Sequence, residues 1–319
     1  MTLTVTPRPA VRQTAQPRKL GVWTRVRRSW QLYLLLAPVL AYFAVFKYWP
    51  MYGVQIAFRD YRPDAGFLGS PWVGFKHFAR FFNSFQFWDV FTNTVLLALF
   101  NLAIVFPVPI LLALLVNQLP SERFKRFTQT VLYAPTFIST VVVVGMLYVF
   151  LAPRTGLVNN VIVLLGGEPI FFMGEAEWFR PVYVASSLWQ EAGFQMVVYL
   201  AALAGVDPSL HEAAKMDGAS RRQRIRHVDL PGIAPTISVL FILAVGNLLN
   251  IGFEKALLMQ TPLNESSSQI IQTYVYEAGL KQAQFSFSAA VGLFNSLINL
   301  ALLLTFNSVA RKARQGALL

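Results

Sequence analysis

Residues 207–231 read DPSLHEAAKMDGASRRQRIRHVDLP, a stretch in which helix-starting, helix-ending and turn residues follow one another in order. Asp207 is a favourable helix N-cap, and Pro208 suits the first position of the helix that follows. Gly218 can adopt the left-handed conformation that ends such a helix. A second, basic helix is predicted to follow and to stop at Pro231. The stretch therefore predicts a compact unit of helix, glycine turn and helix.

Long apolar blocks lie on both sides of this stretch. The chain has 319 residues, of which 55% are hydrophobic and only 13% are charged, and its mean hydropathy is +0.50. Blocks of about twenty apolar residues are long enough to cross a membrane as helices. We therefore predict an all-α polytopic membrane protein with six transmembrane helices. The predicted spans cover residues 30–49, 90–116, 130–151, 181–204, 236–259 and 287–309.

The basic residues are distributed unevenly around these spans. Eighteen of the 27 Lys and Arg residues precede span 1 or follow spans 2, 4 and 6, and seven lie on the opposite side. By the positive-inside rule, both termini are predicted to be cytoplasmic. The predicted domains are a cytoplasmic basic tail (1–29), a six-helix transmembrane domain (30–310) that contains the loop 205–235, and a cytoplasmic tail (311–319).

Composition excludes several classes of site. The formal net charge is +12, but the basic residues cluster between apolar blocks, which favours membrane topology over a nucleic-acid partner. Cysteine is absent from the sequence, so disulfides and thiolate metal sites are excluded. His77, His211 and His227 are scattered and have no metal-ligand spacing. The phosphate-binding motif G-x-x-x-x-G-K-[S/T] does not occur, so no metal or cofactor is expected on this chain.

The residues alone leave two interpretations of the stretch 207–231 open. Ala213 and Ala214 give the first helix a face of small residues, which a groove on a partner protein can approach closely. Alternatively, the arginines hold both helices on the surface of anionic membrane lipid.

A family resemblance favours the first interpretation. The sequence Glu-Ala-Ala, a glycine a few residues later and a final Leu-Pro resemble the EAA motif of ABC importer permeases, a family with the MetI-like transmembrane fold. Residues 48–53, 57–61, 69–74 and 246–254 are similar to segments of its polysaccharide and oligosaccharide permeases. The residues that the resemblance assigns to ATPase coupling are Glu212, Ala213, Ala214, Asp217, Gly218, Leu230 and Pro231.

The resemblance implies a permease subunit of an ATP-driven importer for an oligosaccharide or polysaccharide fragment. Such a subunit sits in the bacterial cytoplasmic (inner) membrane and performs no catalysis. The implied partners are a second, related permease in a heterodimer, two copies of an ABC ATPase that bind ATP and Mg, and an extracytoplasmic solute-binding protein. The alternative is a membrane-embedded glycan- or lipid-modifying enzyme, for which Asp60 and Asp64 are the nearest carboxylates.

Polar side chains inside predicted spans are candidates for the substrate path, because groups of this kind usually line a cavity. Amides, carboxylates and aromatic faces together suit a sugar. They could equally bond helix to helix, and Glu191 or Glu254 could pair with Lys255. The candidates are Trp189, Gln190, Glu191 and Gln195 in span 4, Asn247, Asn250 and Glu254 in span 5, and Asn295 and Asn299 in span 6.

The sequence also predicts irregular points within two spans and three long external segments between spans. Gly193 indicates a bend in span 4, and Pro107 and Pro109 indicate a kink in span 2. The long external segments are predicted either to form the platform for the solute-binding protein or to cap the bundle. They cover residues 51–89, 153–180 and 260–286.

Overall fold

The computed structural model describes residues 29–312. Across this range the chain is helical, with an isolated antiparallel bridge between Arg59 and Trp72. Almost all of the two predicted tails, 1–29 and 311–319, lies outside the described residues.

The helices follow the apolar blocks of the sequence. In chain order the α-helices are α1 (Trp30–Phe43), α2 (Trp49–Met51), α3 (Gly66–Gly69), α4 (Lys76–Phe82), α5 (Phe87–Phe100), α6 (Pro107–Asn117), α7 (Glu122–Tyr133), α8 (Thr140–Phe150), α9 (Leu157–Leu164), α10 (Ala176–Ala204), α11 (Pro208–Met216), α12 (Arg221–Arg224), α13 (Leu230–Gly246), α14 (Phe253–Met259), α15 (Glu265–Ser268), α16 (Ile271–Tyr276) and α17 (Phe285–Lys312). Wider π-helical turns occur at Ala44–Tyr48, Asn101–Val105, Ile225–Asp229 and Glu277–Lys281, and 3-10 turns at Tyr52–Phe58 and Ala134–Phe137.

Within residues 29–312, four helical stretches are long and apolar enough to cross a membrane: Trp30–Phe58, Phe87–Asn117, Arg221–Gly246 and Phe285–Arg311. Two bent pairs meet the same criterion when taken together, α7 with α8 at 95° and α10 with α11 at 72°. The number of spans is thus four, or up to six if each pair is one span. The predicted all-α class is confirmed, and the count of six stays a prediction.

The chain divides into two compact units after Val54. In the first unit, α1 buries none of its side chains, and apolar residues such as Leu35 (74% exposed) and Trp49 (78%) face outward. A helix that is apolar on every side is typical of a membrane span.

The second unit begins at Gln55 and is organised around α10. α10 packs along α6, and α13 packs along α17. Near the loop 205–235, Met196 of α10 is buried against Leu114 and Ile233. At the opposite end, aromatic side chains around Phe81 and Phe87 form a second buried cluster. The polar groups described below lie between these two apolar regions.

α10 is continuous through Gly193, so the bend predicted there is wrong. The glycine instead permits a close contact, because a Cβ at this position would lie 1.8 Å from the carbonyl oxygen of Leu132. The Gln190 side chain donates to the carbonyl of Ile138 at 2.9 Å, and Thr136 donates to the Gln190 carbonyl at 2.6 Å. Gly193 and Gln190 thus hold α10 against the break between α7 and α8.

The kink predicted at the prolines of span 2 stays a prediction; the π-helical turn Asn101–Val105 directly precedes α6 and Pro107 within one helical stretch, Phe87–Asn117. A π-helical turn relaxes the backbone where a proline removes a hydrogen bond.

The stop predicted at Pro231 and the continuous span predicted over 236–259 are both wrong. α12, the turn Ile225–Asp229 and α13 form one stretch that ends at Gly246, since Pro231 lies in the first turn of α13. Residues 247–252 then leave the helix before α14 begins.

Candidate functional site

A cavity of about 220 Å³ lies where the break at 247–252 faces α10 and the π-helical turn of span 2. We call it the polar cavity, because amide, hydroxyl and carboxylate groups converge on it. Its polar lining residues are Asn101, Tyr183, Ser187, Glu191, Gln195, Asn247 and Asn250.

Opposite charges lie on one side of the polar cavity. Glu191 accepts a hydrogen bond from Gln195, one turn further along α10, at 3.1 Å. Lys255 is 5% exposed; its ammonium donates to Ser187 at 3.1 Å and lies 5.6 Å from the centre of the Tyr183 ring. Lys255 is an electrostatic neighbour of Glu191. An opposite charge nearby reduces the cost of burying either group.

Side chains from other helices hold the broken backbone. The N–H of Leu249 donates to Asn299 Oδ1 at 3.1 Å, and the Leu249 carbonyl accepts from the Gln272 amide. The hydroxyl of Tyr183 donates to the Gly252 carbonyl at 3.3 Å. Non-helical backbone inside a membrane needs such partners, so the break is a stabilised part of the fold.

The structure brings four of the predicted path residues together: Glu191, Gln195, Asn247 and Asn250 all line the polar cavity. Asn295 lies behind them and donates to Asn250 Oδ1 at 3.0 Å. Asn299 is buried and supports the broken backbone, which is the helix-to-helix role that the sequence left open.

Besides Asn295 and Asn299, three further predicted path residues lie outside the lining of the polar cavity. Trp189 is 48% exposed, and Gln190 bonds to the span 3 break. Glu254 is exposed, and neither it nor Glu191 forms an ion pair with Lys255 within 4.0 Å in the described chain. Trp189 and Glu254 therefore face other surfaces, and Gln190 has a packing role.

Sequence reasoning missed three polar lining residues. Ser187 and Tyr183 lie four and eight positions before Glu191, so they share its face of α10. That spacing was a usable signal. Asn101 begins the π-helical turn, and only the nearby prolines marked this position.

The loop 205–235 is a second candidate region. Asp207 accepts the backbone N–H of Ser209 at 2.9 Å, and this hydrogen bond lowers the pKa of Asp207. Gly218 has a φ of +76°, and a Cβ there would meet no atom within 4 Å. The predicted N-cap is therefore present at the start of α11, and the predicted glycine turn is present at its end.

The surface of α11 is exposed. Glu212 and Ala213 face outward beside two apolar side chains, Leu210 (53% exposed) and Met216 (88% exposed). These side chains are accessible to a partner surface. Among the remaining coupling candidates, Asp217, Leu230 and Pro231 are exposed and Ala214 is partly buried.

A buried carboxylate attaches this loop to the bundle. Asp229 accepts a hydrogen bond from Gln118, at the end of α6, at 3.1 Å. Its other oxygen lies 3.3 Å from Nε2 of His211 on α11. The Asp229 side chain is 1% exposed. This residue therefore links α11 to the end of α6 and the start of α13.

The carboxylates considered for an enzyme do not line the polar cavity. Asp60 accepts a hydrogen bond from Lys76 at 2.6 Å and lies 3.0 Å from His77 Nε2, and the bond from Lys76 lowers the pKa of Asp60. Asp64 is exposed. Among the described residues, no three His, Cys, Asp or Glu side chains are grouped to hold a metal ion.

Comparison with known proteins identifies the family. Residues 105–315 match the model described as "Binding-protein-dependent transport system inner membrane component". The chain belongs to this family. The permease resemblance is therefore confirmed, as is the prediction of a transport subunit over an enzyme. The permease is a multi-pass inner membrane protein.

Two relatives from Bacillus subtilis (strain 168) are similar over most of the permease. The polygalacturonan/rhamnogalacturonan transport system permease protein YteP is 50% identical over 88% of each chain. Protein LplB is 46% identical over 92% of each chain.

Two solved structures share the fold. One is a bacterial ABC transporter involved in the import of the acidic polysaccharide alginate, with a TM-score of 0.84 and 40% identity over 91% of this chain and 98% of that one. The other is a bacterial alginate ABC transporter in complex with an alginate pentasaccharide-bound periplasmic protein, with a TM-score of 0.85 and 40% identity over 92% and 98%.

Proposed function

We propose that this permease imports oligosaccharide fragments of an acidic polysaccharide and that the polar cavity is part of their path. The observation that carries the proposal is the convergence of Glu191, Gln195, Asn247 and Asn250 beside the Tyr183 ring. Amide and carboxylate oxygens accept hydrogen bonds from sugar hydroxyls, and an aromatic ring packs on the apolar face of a sugar.

The acidic class is supported by charge and by similarity. One relative is named for polygalacturonan, a polymer of a uronic acid, and one structural neighbour imports alginate. The ammonium of Lys255 lies behind Ser187 and the Tyr183 ring. It would attract a uronate carboxylate to that side of the polar cavity, where Glu191 would accept hydrogen bonds from neighbouring hydroxyl groups.

The assembly that we propose contains a second, related permease, two copies of an ABC ATPase and an extracytoplasmic solute-binding protein. ATP and Mg would bind on the ATPase copies. With both termini cytoplasmic, the loop 205–235 would contact the ATPase through Glu212, Ala213 and the exposed side chains of Leu210 and Met216. The segments 51–89, 153–180 and 260–286 would then face the solute-binding protein.

Uptake by the complete complex tests this function. The permease is reconstituted with its partners in proteoliposomes that contain ATP, and uptake of labelled oligogalacturonate, alginate oligosaccharide and a neutral arabinooligosaccharide is compared. We expect uptake of an acidic oligosaccharide to exceed that of the neutral one, with the ATPase copurifying. Preference for the neutral sugar would contradict the acidic class, and no uptake of any of them would contradict the proposed path.

Two matched variants locate the path. Glu191→Gln removes the carboxylate from the polar cavity and should lower uptake about tenfold or more, because a positioned charged acceptor is lost. Glu254→Gln makes the same chemical change at an exposed position outside the cavity and should have little effect. Equal uptake by the two variants would remove Glu191 from the path.

A further inference from the structure

Asp229 lies where three helices meet. Its side chain is 1% exposed, and an aspartate is rarely buried to this degree unless its oxygens have partners. Oδ2 accepts the hydrogen bond from Gln118 at the end of α6, and Oδ1 lies 3.3 Å from Nε2 of His211 on α11. The backbone of Asp229 leads directly into α13. We call Gln118, His211 and Asp229 the Asp229 junction.

One oxygen of Asp229 depends on His211. Oδ1 accepts no hydrogen bond of regular geometry from any described residue, so the ion pair with the His211 imidazole is its partner. Arg224 is a second electrostatic neighbour of the carboxylate. Moving His211 away would leave a buried carboxylate oxygen without a partner, which is unfavourable. The contact therefore resists separation of α11 from the start of α13.

α11 has few other means of following the bundle. It buries none of its side chains, and only His211 and Ala214, three positions apart on one face, are partly buried. Ala214 carries no polar group. Among residues 29–312, the pair of His211 with Asp229 is the ion pair that a side chain of α11 forms. Apart from the backbone at its two ends, α11 is thus tied to the bundle through His211.

Two helical stretches that reach the Asp229 junction also wall the polar cavity. The stretch Phe87–Asn117 ends at the junction and lines the cavity at Phe106. The stretch Arg221–Gly246 passes through the junction at Asp229 and lines the cavity at Ala244. Along the helices, the junction lies roughly 18 Å from Phe106 and roughly 22 Å from Ala244.

Packed apolar side chains lie between the Asp229 junction and the polar cavity on both stretches. Leu114 of α6 and Ile233 of α13 belong to one buried cluster together with Met196 of α10. A close-packed interior transmits a displacement, because its side chains have few voids into which they can relax. A movement of the junction is therefore passed toward both walls of the cavity.

We infer that Asp229 is a positioning residue for transport. Through its two oxygens it makes α11 and both walls of the polar cavity move together, so that a displacement of α11 changes the width of the cavity. The inference rests on the proposed contact of the loop 205–235 with the ATPase. It adds Gln118, His211 and Asp229 to the residues that the EAA motif marks for coupling.

Histidine variants test the tie of α11 to the bundle. His211→Ala removes the imidazole, whereas His211→Gln keeps an N–H donor of similar reach. His227→Ala is the matched control, since His227 is exposed on the same loop and its ring bonds to the nearby carbonyl of Gln223.

Uptake of oligogalacturonate and ATP hydrolysis are measured together in proteoliposomes that hold the complete complex. His211→Ala should lower the amount of oligosaccharide taken up per ATP hydrolysed about fivefold or more, because α11 then moves without the walls. His211→Gln and His227→Ala should stay near the wild-type ratio. A wild-type ratio in His211→Ala would overturn the inference.

Retention of the ATPase separates positioning from docking. Glu212 and Met216 remain on the exposed surface of α11 in His211→Ala, so this variant should copurify as much ATPase as the wild type. Its Tm in detergent should also stay near the wild-type value. A loss of bound ATPase would show that the contact only shapes the docking surface, and it would overturn the positioning role.

A double-mutant cycle tests whether His211 and Asp229 act through one contact. Asp229→Asn keeps an acceptor for Gln118 and removes the charge that faces His211. It should lower uptake per ATP as much as His211→Ala does, and the double variant should be no worse than either single variant. Additive losses, or wild-type coupling in Asp229→Asn, would contradict a shared contact and overturn the inference.

The wild-type complex separates this inference from the proposed function. Its failure to take up oligogalacturonate contradicts the proposed function and removes the positioning role with it. Normal uptake by the wild type, with unchanged uptake per ATP in the variants at positions 211 and 229, contradicts the positioning role alone.

Discussion

The polar cavity and the loop 205–235 are held by different kinds of contact. At the cavity, hydrogen bonds join residues that are far apart in the chain, as between Leu249 and Asn299. Within α11 and its caps they join near neighbours, as between Asp207 and Ser209, and the bond from Gln118 to Asp229 attaches the loop to the bundle. Local contacts follow from short-range sequence rules, whereas distant contacts depend on how the helices pack. The same difference predicts where a substitution damages the bundle and where it damages only the loop.

The largest effect is expected for Gly193→Ala, where α10 meets the break in span 3. The new Cβ would lie 1.8 Å from the Leu132 carbonyl oxygen, so the backbones must separate. We expect a loss of stability on the order of 3 kcal/mol, measured as a lower Tm of the purified permease in detergent. Gly145→Ala, in open space, should leave the Tm unchanged. Equal Tm values for the two variants would show that this contact is not tight.

Asn299→Ala tests the support of the broken backbone. It leaves the buried N–H of Leu249 without an acceptor, which should cost about 1–3 kcal/mol. We expect a lower Tm together with reduced uptake, because the wall of the polar cavity loses its position. Ser296→Ala is the control, since Ser296 is exposed and its hydroxyl bonds only within α17. A variant with normal Tm and uptake would mean that the break holds without this bond.

Gly218→Val tests the glycine turn at the end of α11 in the loop 205–235. At a φ of +76° a β-branched residue is strained by about 1–2 kcal/mol, which should distort α11 locally. The expected phenotype is uncoupling: ATPase retention and ATP-driven uptake fall, while the Tm of the bundle stays near the wild-type value. Gly218→Asn, which tolerates this conformation, should behave almost normally. Unchanged uptake by the valine variant would favour the lipid-surface interpretation of the loop.

The smallest effect is expected for Asp207→Ala, which removes the N-cap of α11. Asp207→Asn keeps a capping acceptor and should retain more of the ATPase during purification than the alanine variant. Because the pKa of Asp207 is lowered in the folded chain, its carboxylate is charged and stabilises α11 fully at any pH above the ordinary pKa of about 4. This stabilisation is lost as the pH falls through the lowered pKa. ATPase retention by the wild type should therefore be constant between about pH 6 and 8, and a decline within that window would contradict this assignment.

Sequence reasoning was sufficient for features that depend on near neighbours. Apolar blocks predicted the all-α class, and Asp207 and Gly218 marked the two ends of α11. It was wrong at Pro231 because a proline in the first turn of a helix needs no N–H partner, and the preceding π-helical turn continues smoothly into α13.

The helix break within predicted span 5 was missed for a different reason. Residues 247–252 lie inside a longer apolar block despite Asn247 and Asn250, and hydropathy does not report the path of the backbone. Their conformation depends on Asn299, Gln272 and Tyr183, which reach them from other helices. For the same reason, only four of the seven polar residues that line the cavity were predicted from the sequence.

The unbroken stretch from Arg221 to Gly246 has a mechanical consequence. Its 26 residues form a stiff lever roughly 39 Å long, with the loop at one end and the wall of the polar cavity at the other. A tilt of about 10° about the loop end would sweep the far end through roughly 7 Å, more than one turn of helix. We expect a small tilt of the loop, transmitted along this continuous helical stretch, to be enough to change the shape of the cavity.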